Sequence, residues 1–260
     1  MRLFILALLP VILVACAGAD KDETEGLSAK EIYEEAQSSI DAAEFETAVK
    51  NLETLEARYP FDPYAKQAQL DIAYAYYKFD ELDQATSAIE RFERLHPRDS
   101  HLDYVYYLKG LINFNLGQGL LEAWFPRDPS QHDPAVLEQS FNDFSTLVRR
   151  FPNSLYAGDA HQRMIYLRNQ LAKKEILVAE FYIKRKSWLS SANRAKTVLE
   201  RYPETIWTKR ALDIMLLSYQ KLALPELAAD TQRVIDFNDF SDIKNTSDPD
   251  NYGKKPPAML

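Results

Sequence analysis

The chain has 260 residues, of which 46% are hydrophobic and only 7 are glycine, and its net charge is −8. This length and apolar content are sufficient for one or two domains or for one extended repeat array. The scarcity of glycine disfavours Rossmann folds, phosphate-binding loops and β-rich folds, which need glycine at tight turns. The acidic balance predicts no nucleic-acid partner, because phosphate binding requires a basic surface.

The first fifteen residues are typical of a secretory signal peptide. Arg2 is their only charged residue, and an apolar run interrupted by Pro10 extends from Leu3 to Val14. The run is too short for a transmembrane helix, which needs about 20 apolar residues, but it fits the apolar region of a signal. Residues 1–15 are therefore expected to be removed on export.

The end of this segment, Leu-Val-Ala followed by Cys16, resembles the lipobox of bacterial lipoprotein precursors. Cys16 is the only cysteine, so it has no disulfide partner within the chain. The resemblance implies an S-diacylglycerol and an N-acyl chain on Cys16, a stable anchor in the inner leaflet of the outer membrane. The alternative is an ordinary signal peptide with an incidental cysteine. Residues 16–28 are expected to be the lipidated N-terminus and a solvated tether, and no other cofactor is predicted.

A repeat is visible in the remaining chain. Four blocks of sixteen residues align without gaps, and each ends in proline. The first position of each block is large and apolar, the fourth is alanine or serine, and the eighth and eleventh are apolar. Spacings of three, four and three mark one face of a helix, and the proline ends that helix. The blocks cover residues 45–60, 82–97, 137–152 and 188–203.

A second helical pattern, rich in small residues and tyrosine, precedes each block, as with Ile32, Ala36 and Ser39 before the first. The paired pattern resembles the tetratricopeptide repeat. The predicted fold is therefore all-α, a tetratricopeptide superhelix of about five helix-turn-helix units over residues 29–236. The fifth unit, residues 206–235, lacks the closing proline, as expected of a capping repeat.

Two spacings between closing prolines exceed one unit. An inserted loop at residues 116–134 lengthens the third unit, and its aromatic pair, Trp124 and Phe125, is expected to pack onto the array. Extra helical sequence lengthens the fourth unit, where residues 154–187 fit either one long helix or two. Residues 237–260 have no helical period and are expected to form a disordered tail.

The sequence carries no catalytic pattern. It has no Gly-x-Ser-x-Gly elbow, no glycine-rich phosphate loop and no His-Glu-x-x-His. His96 and His101 lie close in sequence, but no cysteine or acidic pair completes a metal site with them. We therefore predict no catalytic residues, no metal and no enzymatic activity.

Charge is divided along the chain. Nineteen acidic and eight basic residues lie between Asp20 and Leu95, whereas ten basic and four acidic residues lie between Lys173 and Arg210. The basic segment fits three interpretations: an ordinary solvated surface, a docking site for an acidic protein near Arg194, or a surface for anionic lipid. The charges alone do not decide between them.

Several strings of residues are similar to one family. With the lipobox and the repeats, they make the chain resemble, over nearly its whole length, the BamD (YfiO/ComL) family of lipoproteins. Members of that family are subunits of the outer-membrane β-barrel assembly machinery. The strings lie at residues 58–61, 73–78, 144–149, 151–154, 171–173 and 178–182.

The resemblance implies a non-enzymatic scaffold on the periplasmic face of the outer membrane, on which other Bam lipoproteins also dock. It implies that the C-terminal repeats bind the periplasmic domain of a BamA-like barrel protein. Arg194 matches the family's key arginine, and Lys196 and Arg201 are the basic residues expected beside it. By residues alone, Arg194 also fits an ordinary surface charge.

The N-terminal repeats are implied to bind unfolded outer-membrane proteins. Tyr59 matches a substrate-binding tyrosine of the family, and Phe61 and Tyr64 are the aromatic residues beside it. By residues alone, Tyr59 also fits a helix cap. The alternative function is that of a different tetratricopeptide lipoprotein, an adaptor for cell-wall hydrolases.

Overall fold

The computed structural model describes residues 24–116 and 133–240 of the chain. These residues form ten helices and no strand, so the predicted all-α class is confirmed. Cys16 and its signal, residues 117–132 of the predicted insertion and residues 241–260 of the predicted tail lie outside the described residues. The helices are α1 (Ala29–Asp41), α2 (Phe45–Arg58), α3 (Pro63–Lys78), α4 (Leu82–Leu95), α5 (Leu102–Leu116), α6 (Pro134–Arg150), α7 (Ala157–Lys184), α8 (Trp188–Arg201), α9 (Thr208–Lys221) and α10 (Pro225–Phe237).

The described residues divide into two compact units, one before and one after a boundary between Ile72 and Ala73, inside α3. In the first unit α1 packs on α2, and in the second each helix from α4 to α10 packs on the next one along the chain. Because consecutive helices are neighbours, the core of each unit is a row of helix–helix contacts.

The face predicted from the four blocks is the buried face of α2, α4, α6 and α8. Small residues at the fourth position let the adjacent helix approach closely. In two blocks this residue is a serine whose hydroxyl also donates a hydrogen bond to a backbone carbonyl of the adjacent helix. Ser140 Oγ donates to the carbonyl of Gly110 (2.9 Å), and Ser191 Oγ donates to that of Ala179 (3.0 Å). The fully buried residues at the fourth, eighth and eleventh positions are Ala48, Leu52, Leu55, Ala85, Ile89, Phe92, Ser140, Phe144, Leu147, Ser191, Ala195 and Val198.

Each of these four helices ends two positions before its closing proline. The residue before each proline leaves the α region, with φ between −132° and −127° and ψ between 51° and 61°, because the proline ring clashes with a helical neighbour. Its N–H still donates to the carbonyl four residues back, so the last turn is complete. In all four blocks this residue carries an aromatic ring: Tyr59, His96, Phe151 and Tyr202.

Four of the five units have a three-residue turn between their helices, and each turn contains a residue with positive φ that is not glycine. The residue after it donates its N–H to the carbonyl five residues back, as Glu44 does to Ser39 (2.8 Å). This is the Schellman motif, which glycine normally supplies because its αL conformation is unstrained. The residues are Ala43, Asp80, Lys186 and Ala223, with φ from 57° to 65°.

The extra helical sequence of the fourth unit is part of one helix. α7 runs without a break over 28 residues, from Ala157 to Lys184. Its first half contacts α5, where the hydroxyl of Tyr107 donates to Asp159 (2.7 Å), and its second half contacts α8 through Ser191. The third and fourth units therefore share a continuous element.

Candidate partner-binding site

α8 exposes two arginines on one of its sides. Ser191, Ala195 and Val198 face the core, which leaves the side with Arg194 and Arg201 open. These arginines are seven positions apart, so their side chains leave the helix in nearly the same direction. Both are exposed.

Each of the two arginines pairs with a carboxylate on an earlier helix. Arg194 Nη1 lies 3.2 Å from Glu175 Oε2 on α7, and Arg201 Nη2 lies 2.9 Å from Glu138 Oε1 on α6. The Arg194 side chain is 48% exposed and that of Glu175 is 16% exposed. Both side chains of the Arg201–Glu138 pair are exposed, and exposed ion pairs contribute about 0–1 kcal/mol, whereas Glu175 in the other pair is largely buried.

Tyr202, the aromatic residue that ends α8, reinforces the second pair. Its hydroxyl donates to Glu138 Oε1 (3.1 Å), and the Arg201 guanidinium lies 5.4 Å from the centre of its ring. Burial and the Glu138 carboxylate raise the pKa of Tyr202 to about 12. The tyrosine therefore remains a neutral hydrogen-bond donor at physiological pH.

Lys196 lies on a different side of α8. It is two positions after Arg194, which corresponds to a rotation of about 200° around the helix. Its ammonium pairs with Glu200 (2.9 Å), and the hydrogen bond with Glu200 raises the pKa of Lys196. The structure thus brings Arg194 and Arg201 together and separates them from Lys196.

A cleft opens beside the Arg201–Glu138 pair, between α6, α7 and α8. Its volume is about 230 Å³. Arg168 of α7 lies on its wall together with the apolar side chains of Phe141 and Leu171. The cleft thus adds a third arginine and an apolar lining to the same region.

The three predicted substrate-binding aromatics lie in the first unit, around the turn from α2 to α3. The Tyr59 hydroxyl donates to the backbone carbonyl of Leu27 (2.7 Å), so this side chain ties the helix end to the segment before α1. Phe61, in the turn, is 99% exposed. The ring of Tyr64 lies 5.0 Å from that of Tyr33 on α1. Phe61 is therefore the one of the three that presents its whole ring to solvent.

Sequence reasoning missed a buried acid beside these aromatics. Asp71 on α3 is 4% exposed and accepts hydrogen bonds from the Tyr33 hydroxyl (2.8 Å), Gln37 (2.8 Å) and Gln67 (3.3 Å). Burial raises the pKa of Asp71 to about 6, although the three hydrogen bonds act in the opposite direction. The signal was the pairing of Tyr33 with Gln37 and of Gln67 with Asp71 at a spacing of four, which places each pair on one helix face.

Within residues 24–116 and 133–240, no helix combines the length and apolarity needed to cross a membrane. The same residues include no cluster of three histidine, cysteine, aspartate or glutamate side chains placed to hold a metal ion.

Comparison with known proteins decides the family. The model of the YfiO family, described as an outer membrane lipoprotein, matches residues 25–234. The chain belongs to the YfiO family of outer-membrane lipoproteins. The match covers all five helix-turn-helix units as far as α10, and it confirms the resemblance inferred from the residues.

Relatives of this YfiO-family chain are similar along most of their length. The outer membrane protein assembly factor BamD of Neisseria gonorrhoeae is 45% identical over 235 residues, which cover 88% of each chain. BamD of Vibrio cholerae is 36% identical over 231 residues, 89% of this chain and 96% of its own. BamD of Haemophilus influenzae is 34% identical over 250 residues, 94% and 95% of the two chains.

Proposed function

We propose that this chain is a non-enzymatic outer-membrane protein assembly factor, anchored by lipids on Cys16 at the periplasmic face of the membrane. The observation that carries the proposal is the 45% identity with a protein named BamD over 88% of both chains. The helix-turn-helix architecture agrees with it, because stacked helix pairs offer extended surfaces for other proteins. Other Bam lipoproteins are expected to dock on further surfaces of the same array.

The main docking site of the proposal is the arginine-bearing side of α8. A BamA-like barrel protein would present carboxylates of its periplasmic domain to Arg194 and Arg201. The two arginines would then leave Glu175 and Glu138 and pair with these carboxylates. Arginine suits this role because its planar guanidinium makes two parallel hydrogen bonds to a carboxylate. Lys196, on the other side of the helix, is expected to contribute less.

The substrate site of the proposal is the turn between α2 and α3. Unfolded outer-membrane proteins expose alternating apolar side chains, and an exposed aromatic ring offers them apolar contact area. Phe61 supplies that ring, while Tyr59 and Tyr64 hold the turn through their contacts with Leu27 and Tyr33. Phe61→Ala is expected to weaken crosslinking to an unfolded outer-membrane protein without changing the helical content.

The first test is a pull-down of the native lipoprotein in gentle detergent, with bound proteins identified by mass spectrometry. Recovery of a BamA-like barrel protein, with at least a tenfold loss in Arg194→Glu and a smaller loss in Lys196→Glu, would support the proposal. Recovery of cell-wall hydrolases in place of a barrel protein would overturn it in favour of the adaptor function. A barrel protein captured equally by native protein and Arg194→Glu would remove α8 as the docking site.

A further inference from the structure

The cleft between α6, α7 and α8 contains a positive charge, that of Arg168, which has no ion-pair partner among the described residues. Arg168 is half-buried, and it forms no ion pair or hydrogen bond with any residue in the described part of the chain. Glu138, the carboxylate in the lining of the cleft, already pairs with Arg201 and accepts a hydrogen bond from Tyr202. A half-buried cation without a counter-charge has lost part of its hydration and gained nothing in exchange.

The lining of the cleft selects the chemistry of an occupant. Two cations, Arg168 and Arg201, and one anion, Glu138, leave a net charge of +1 in a lining that also offers the apolar side chains of Phe141 and Leu171. The volume of about 230 Å³ is below the roughly 300–1,000 Å³ typical of small-molecule sites. It suits one or two side chains of another protein, with a carboxylate for Arg168 and methylene groups for the apolar walls.

We propose that this cleft receives an acidic side chain of the docked barrel protein's periplasmic domain, and that its carboxylate pairs with Arg168. The inference rests on the proposed function and deepens it. It extends the docking surface from Arg194 and Arg201 into the cleft and makes the cleft the main point of attachment. The acidic residue has an apolar neighbour, which packs against Phe141 and Leu171. Partial burial makes the Arg168 pair the strongest of the three, since exposed pairs are screened by water and salt.

The test uses the full-length lipoprotein in detergent and the purified barrel protein with its periplasmic domains as the probe. Affinity is measured for the native chain, Arg168→Glu and Arg168→Gln. Arg98→Glu is the matched control, because Arg98 is exposed, lies outside the basic segment between Lys173 and Arg210 and undergoes the same change of charge. We expect Arg168→Glu to bind at least about tenfold more weakly, Arg168→Gln to be intermediate, and the control to bind as the native chain does.

A photo-crosslinking amino acid at Asn142, an exposed residue on the cleft wall, then identifies the occupant. The expected crosslink lies on a segment of the barrel protein that contains aspartate or glutamate beside an apolar residue. Changing that acid to lysine is expected to restore binding to Arg168→Glu. Circular dichroism of each variant confirms that the helices remain folded.

The outcomes separate the two proposals. If native protein binds and Arg194→Glu does not, while both Arg168 variants bind normally, the cleft is not the anchor and the proposed function stands. A crosslink to a segment without an acidic residue would also overturn the inference. If the native chain does not bind the barrel protein at all, the proposed docking function fails and the inference fails with it.

Discussion

At the scale of single residues, Gly110 marks a close approach between two helices. It lies on α5, and a Cβ built there would come within 2.6 Å of Phe144 Cδ1 on α6. Phe144 is fully buried and the interior around it is close-packed, so its ring has no free space to enter. The backbone of Gly110 is ordinary helix. Glycine is therefore needed here because it lacks a Cβ, and not because of its conformational freedom.

We expect Gly110→Ala to lower the free energy of unfolding by about 1–3 kcal/mol through overpacking. Gly158 on α7 is the control, because a Cβ there would meet nothing within 4 Å. Gly158→Ala is expected to raise the same free energy by about 0.5–1 kcal/mol, since alanine favours the helix. Urea titrations followed by circular dichroism measure both. Equal effects of the two substitutions would contradict the packing argument.

Asp71 makes stability depend on pH. Its pKa is about 6 in the folded protein and 3.8 ordinarily. A carboxyl with a raised pKa contributes stability that is complete below pH 3.8 and is lost as the pH rises through about 6. We therefore expect the free energy of unfolding of the native protein, relative to Asp71→Asn, to fall between pH 4 and pH 7 by up to about 3 kcal/mol.

The measurement is a series of urea titrations at half-unit steps of pH. Asp41→Asn, at an exposed residue on α1, is the matched control and is expected to leave the profile of the native protein unchanged. A native profile parallel to that of Asp71→Asn over the whole range would show that the buried carboxyl does not take up a proton.

At the scale of elements, the turns inside four units hold a left-handed residue without using glycine. A residue with a Cβ in this conformation costs about 1–2 kcal/mol relative to the right-handed region, and four such turns are strained in the same way. The hydrogen bonds of the Schellman motif and the packing of the helices on either side stabilise this strained conformation.

We expect Ala43→Gly to raise the free energy of unfolding by about 0.5–1 kcal/mol, because glycine removes the steric cost at φ 61°. Ala42→Gly, one residue earlier, is the control. Its φ of −75° is right-handed, so the substitution adds only flexibility to the unfolded chain and is expected to lower stability by a similar amount. Thermal unfolding of the two variants distinguishes them by the sign of the change in Tm.

At the scale of the whole molecule, the proposed function attributes membrane attachment to lipid on Cys16. We expect Cys16→Ser to be recovered in the soluble periplasmic fraction, whereas native protein stays with outer membranes after a high-salt wash, since acyl chains hold by burial of apolar surface and not by charge. Arg194→Glu is the control, because it changes surface charge and leaves the anchor intact. Membrane recovery of Cys16→Ser after the wash would show a second attachment.

The sequence predicted the periodic part of the fold and missed what depends on distant contacts. The fourth, eighth and eleventh positions of each block were sufficient to identify the buried faces, because helix packing repeats with the block. Arg194 and Arg201 were proposed as site residues from charge and family resemblance, and their role stays a prediction. Glu138, which pairs with Arg201, lies 63 residues earlier in the chain, and Arg168 stands out only once α6, α7 and α8 lie side by side.

The conformations of the turns also could not be predicted from the sequence. Glycine scarcity correctly indicated helices, but alanine, aspartate and lysine gave no local sign of a left-handed conformation at residues 43, 80, 186 and 223. The continuity of α7 was equally undecided, because its two halves bury residues against different neighbours and their periodicities overlap. Tertiary packing, not local preference, selects the single helix.

The unbroken course of α7 restricts how sequences of this family can change in length. A helix of 28 residues is about 42 Å long, and each added residue turns everything beyond it by about 100° and advances it by about 1.5 Å. One inserted residue between Arg168 and Glu175 would rotate α8 to α10 away from α6 and separate Arg201 from Glu138. Gaps in alignments of related sequences should therefore avoid residues 157–184 and gather in the segment between α5 and α6.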